Sequence, residues 1–159
     1  MNIDLRPHYV FAYYVEYLDL LSRALLYYSR RDGALHYRYE ASPFRLADVG
    51  HEDMERVVPV SEEVALLLES VFRLMIETFR AGGFEPWYVL DGYECTVICG
   101  RQRIRFAGPC PPSPFAEFLD FVNRLTEHME HWDQGRFEET LMMIPTLVSK
   151  MEKQNELKA

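Results

Sequence analysis

Long uncharged stretches are missing from this sequence. No run reaches the roughly 18 residues a membrane-spanning helix needs, so no helical span is expected. Basic residues are in the minority, with 17 Lys and Arg against 25 Asp and Glu and a formal net charge of −8. Neutralising phosphates takes a basic surface, so nucleic acid is not the expected partner. Anionic lipid surfaces are disfavoured for the same reason. The balance suits solubility, and it also suits a basic protein partner, whose encounter it would speed.

Cysteine is scarce: Cys95, Cys99 and Cys110 complete the set. An odd, small number in a chain of this length is not a disulfide framework. Four positions separate Cys95 from Cys99, so there is no Cys-x-x-Cys redox pair. On a strand the two would share a face but stand about 13 Å apart, too far to bond or to share a metal ion. Cys110 sits between prolines with no adjacent Lys or His to activate its thiol. No Gly-x-Ser-x-Gly nucleophile elbow occurs. No glycine-rich phosphate loop occurs either, since Gly82-Gly83 follows a helix signal and reads as its stop. No cofactor is expected from these residues. The opening residues Met1–Arg6 already contain Asp4, and Glu16 and Asp19 interrupt the apolar stretch after them. That is not the pattern of a secretory leader, and the expected compartment is the cytoplasm.

What the chain does hold is core material. Of its 159 residues 48% are hydrophobic and 14% aromatic, enough for one self-sufficient domain over 1–159 with a polar, frayed tail from about 150. Spacings of three and four among Tyr14, Tyr17, Leu18 and Leu21 predict a helix over about Val10–Ser22. Asp32-Gly33 then predicts the turn of a hairpin spanning Ala24–Glu40. In its second strand Leu35, Tyr37 and Tyr39 alternate with His36, Arg38 and Glu40, which predicts opposite faces. Pro43–Pro59 reads as a polar connection. Ser61–Arg80 is the clearest helix, with Ser61 as cap, Glu62 and Glu63 in the positive first turn, and a stripe from Val64 to Phe79. A meander follows: Trp87–Leu90, Glu94–Cys99 and Gln102–Ala107, in which Ile104 and Phe106 oppose Arg103 and Arg105. Ser113 and Pro114 open another helix. A last helical segment covers about Arg136–Leu157, divided by Pro145. The sum is an α+β domain. A mostly antiparallel sheet of about five strands carries three to four helices on one face.

Four residue groups are candidates for function. His128 and His131, three apart on a helix, would with Glu127 or Asp133 offer a Zn²⁺ site. Their spacing matches no zinc-peptidase pattern, and His at a helix end has a dipole explanation, so metal is the weaker reading. Arg38, Arg103 and Arg105, with His36, Glu40 and Thr96, would share the wet sheet face and offer a carboxylate or phosphate site. Charged side chains that merely solvate a sheet are the ordinary alternative. Tyr9, Tyr13, Tyr14 and Tyr17 give a tyrosine-rich segment of the kind enriched at interfaces. Met142 and Met143 belong to an adaptable C-terminal apolar set that would suit either a partner or two-sided burial.

With no motif that carries chemistry, the first expectation is a non-enzymatic protein-binding module. It would present an acidic surface to a basic protein, as immunity proteins and antitoxins do, an analogy of composition. The alternatives are a small-molecule or metal-dependent enzyme, its site assembled from distant Arg and His residues, and a homo-oligomeric structural protein.

Overall fold

Tyrosines, valines and phenylalanine fill Tyr9–Tyr17, and these residue types pack well on a pleated surface. A computed structural model describes residues 9–17, 22–41, 53–81, 93–107 and 115–158. It begins with strands β1 (Tyr9–Tyr17) and β2 (Ser22–Ser29). The expected helix over Val10–Ser22 is therefore overturned. Ladder pairing on both sides decides the matter, and Phe11, Tyr13 and Val15 on the core face are all within 4% of fully buried, with Ala12 between them buried too. Tyr14 and Tyr17, spaced as on one helical stripe, point to opposite sides of the sheet. β1 is also a central strand, so both rows of its backbone groups are paired, one with β2 and one with β5.

The remaining elements are β3 (Ala34–Glu40), β4 (Met54–Pro59), α1 (Glu62–Ala81), β5 (Tyr93–Cys99), β6 (Gln102–Ala107), α2 (Phe115–Glu130), α3 (Gln134–Met142) and α4 (Ile144–Lys158). The fold is α+β, a six-stranded antiparallel sheet ordered β4-β3-β2-β1-β5-β6. The β2–β3 hairpin lies where the sequence puts it. Asp32 accepts a hydrogen bond from the Ala34 amide at 3.2 Å, and Gly33 takes φ +62°. Gly100 takes φ +61° in the β5–β6 turn, again a conformation open mainly to glycine. β4 falls inside the stretch expected as a connection. Its alternation is written in Glu55, Arg56 and Val57 rather than in clean apolar and polar pairs. Pro59 can close it because β4 has a strand on one side only among the described residues.

The core lies between one sheet face and the helices. Phe11, Leu26, Leu35 and Val97 from the sheet meet Leu68, Phe72 and Met75 of α1 and Phe118, Leu125 and Met129 of α2. Phe72 stands 4.6 Å from Phe11 and 5.3 Å from Phe118, ring centre to ring centre. The Ser61 hydroxyl caps α1 by accepting from the Val64 amide at 3.2 Å. Asp133 caps α3 likewise through Arg136. The helix ends at Met143, the C-cap of α3, and α4 starts at Ile144 with Pro145 as its second residue, where a missing amide hydrogen leaves no bond unmade. α4 continues through the polar stretch from 150 to Lys158. The Trp87–Leu90 strand, the Gly82-Gly83 stop, the Ser113-Pro114 cap and Cys110 lie outside the described residues.

Candidate binding surfaces

The strand register sorts the side chains of the second sheet face into rows. One row runs Glu55, Arg38, Leu25, Tyr14, Thr96, Arg105; its neighbour runs Val57, His36, Tyr27, Ala12, Ile98, Arg103. Arg38, Arg103 and Arg105 do share this face. They do not converge, because β3 and β6 are four strand positions apart, roughly 19 Å at the usual spacing. Each flank also supplies its own acids. Arg105 pairs with Glu94, and Arg38 lies 3.6 Å from Glu40. His36 is held locally: its Nε2 lies 2.7 Å from Asp32 and its ring stacks on Tyr27 at 4.5 Å. A single anion site built from these four residues is not what the fold assembles.

The tyrosines divide between the two faces. Tyr9 and Tyr14 are half-buried, with Tyr9 4.3 Å from the Tyr27 ring and Tyr14 donating to Glu16. Tyr13 is a core residue, 4% exposed, its hydroxyl 3.3 Å from the Cys95 sulfur. Burial holds the Tyr13 proton well above its ordinary range and pushes the Cys95 thiol up to about 12. Cys95 and Cys99 are free thiols. Neither has a lowered pKa, so neither is an activated nucleophile. Tyr17 lies at the rim of the core face.

His128 is half-buried in the last turn of α2, and His131 is exposed just beyond it. Among the described residues no group of three His, Cys, Asp or Glu is arranged to hold a metal ion.

The methionines behave differently from the apolar set around them. Ile144, Leu147 and Met151 are buried, whereas Met142 is 77% and Met143 42% exposed. They flank a groove of about 550 Å³ between α2, α3 and α4. Phe121 and Leu147 line its apolar part, and Glu117, Asp120 and Glu139 its acidic part. Lys150 stands 3.8 Å from Glu117, and Arg124 3.1 Å from Asp120. Of the groove's four charged lining residues, Glu117, Asp120, Glu139 and Lys150, three are acids. No single motif marked this site in the sequence, because its walls come from three helices.

No described helix is long and apolar enough to cross a membrane. No family model matches the chain, and no curated protein matches it.

Proposed function

We propose that the protein is a non-enzymatic binding module that docks a basic protein partner in the groove beside Met142 and Met143. The observation that carries the reading is the exposure of two adjacent methionines on an acid-lined groove. Side chains so apolar gain from being covered, and flexible thioethers adapt to varied partners. Glu117, Asp120 and Glu139 would select and steer a cationic partner. An amphipathic helix with Lys or Arg beside an apolar stripe has the matching chemistry. Sequestration of the immunity-protein or antitoxin kind is the function such a surface serves, in a cytoplasm whose reducing state suits the free thiols of Cys95 and Cys99.

Fluorescence anisotropy with a labelled basic amphipathic peptide, repeated with its acid-substituted counterpart, tests the reading. The basic peptide is expected to bind, more weakly at high salt, and the acidic one not to bind. Met142→Asp with Met143→Asp should weaken binding by about tenfold or more, the usual scale for removing a hot spot. Binding that ignores peptide charge, or that survives both substitutions, would count against the groove. Light scattering addresses the homo-oligomer alternative: a dimer that becomes monomeric in the same double variant would assign the methionines to a second copy of the chain.

A further inference from the structure

Away from the groove, the core face of the sheet ends in a patch of phenols. Tyr17 is paired in register with Tyr93 on one side and Ser22 on the other. The Tyr17 and Tyr93 rings meet edge to face, 6.4 Å apart at 60°. Tyr39 comes in from β3 across the small side chain of Ala24, its register partner. α2 ends above them. Arg56 is the register partner of Tyr37, and its Nε donates to the Met129 carbonyl at 3.0 Å. Glu130, the next residue, lies beside Tyr37 and Tyr17: burial raises both phenols most, and the nearby Glu130 carboxylate raises them further.

Tyr17, Tyr39, Tyr93 and Glu130 are all half-buried, accessible from outside yet packed. The floor holds an anomaly. Ser22 is 3% exposed, and its buried hydroxyl has no hydrogen-bond partner among the described residues. A buried hydroxyl left unsatisfied is costly, so it marks a place where a donor or acceptor belongs.

We propose that this patch is a cation site for a guanidinium group, the arginine side chain of a peptide or a free guanidino compound. Aromatic faces attract a cation through their quadrupole, and a planar guanidinium also stacks on them. The Glu130 carboxylate would supply the countercharge and Ser22 Oγ would accept one of the five N–H donors. A quaternary ammonium, which has no N–H, would leave Ser22 unsatisfied, so the donor-bearing cation fits better. The site shares no residue with the groove, so failure of the groove peptide leaves it standing, and the reverse.

The test is a chemical-shift titration of the full chain with acetyl-arginine amide, with the neutral citrulline analogue alongside. Arginine should shift the ring signals of Tyr17, Tyr39 and Tyr93 in a saturable way, and leave Tyr9 and Tyr27 on the other sheet face unmoved. Citrulline should not. Glu130→Gln should weaken the response at least tenfold while the far-ultraviolet spectrum stays unchanged, and Glu130→Asp should restore part of it. A guanidinium peptide and a free guanidino compound are told apart by an Arg-containing pentapeptide that binds tighter than the single amide. Absence of saturable shifts in the wild type, or equal shifts with citrulline, overturns the proposal whatever the variants do.

Discussion

Phe72→Ala should destabilise the protein by about 3–5 kcal/mol, the range for emptying a buried aromatic site. Phe72 is 0% exposed and its ring joins Phe11 on the sheet to Phe118 on α2. Those three rings tie the sheet and two helices into one core, and the space left behind is bounded by Leu68, Met75 and other side chains already packed. Collapse into the hole would have to move several elements together, so little of the loss should be recovered. At about 2–4 °C per kcal/mol for a chain of this size, the midpoint should fall by roughly 6–20 °C. Urea unfolding followed by circular dichroism measures it. Leu66→Ala is the matched control. Leu66 is on the same helix but 56% exposed, and its loss should stay within about 0.5 kcal/mol. Equal effects of the two substitutions would mean that α1 does not pack on the sheet as described.

Phe72 illustrates what could be read without coordinates. It belongs to a helical stripe long enough for its period to be unmistakable, and it is bounded by an acidic, capped start. Alternation was equally legible in Leu35 to Glu40 and in Arg103 to Phe106, where charge and apolar residues trade places at every step. The sequence of β1 imitates a helix because its tyrosines count as apolar on both sheet faces. Tyr13 is core and Tyr14 is not, yet the two are the same residue type. A central strand apolar on both faces loses the period-two signature, and chance spacings then imitate a helix. β4 was hidden for the opposite reason, since Arg56, a charged residue, occupies an inward position and is satisfied there by the Met129 carbonyl and the Trp132 ring 5.8 Å away.

The candidate sites follow the same logic. Met142 and Met143 were singled out by sequence, but nothing in it could say that Ile144 and Leu147 would be inside and these two outside. Helix rotation about the break at Met143 decides that. The arginines were placed on the correct face by alternation. Their separation needed the strand order, in which β5 returns beside β1 rather than beside β4. The patch around Glu130 needed more still. Its residues come from β1, β2, β3, β5 and α2, and no local spacing links them.

Alkaline pH should unfold this protein earlier than its net charge alone would suggest. The Cys95 thiol is fully buried, and its proton is held up to about 12 against an ordinary value of 9.0. Burial also raises Tyr13 and Tyr37 well above 10.0 and lifts Tyr17 to about 12. In the unfolded chain these groups release their protons near their ordinary values. Above pH 9 the unfolded state therefore binds fewer protons than the native one, and stability falls as pH rises. Each withheld proton contributes about 1.4 kcal/mol per pH unit. Between pH 9 and 10 the buried thiol dominates; above 10 the phenols join and the slope steepens. By pH 11 the summed loss is several kcal/mol, comparable with the about 5–15 kcal/mol stability of an ordinary domain. Urea midpoints at half-unit intervals from pH 8 to 11 should show this two-stage decline. Absorbance at 295 nm should show exposed tyrosines ionising first and the buried ones only as the chain unfolds. Cys95→Ala should be less stable at pH 8, because the side chain fills core space. It should also lose stability more slowly from pH 9 to 10, by about 1 kcal/mol over that unit, since a thiol with an ordinary value of 9.0 is only half ionised in the unfolded chain at pH 9. An unchanged slope in that variant would move the alkaline sensitivity to the phenols, and a flat profile to pH 11 in the wild type would mean that Cys95 and Tyr13 are open to water.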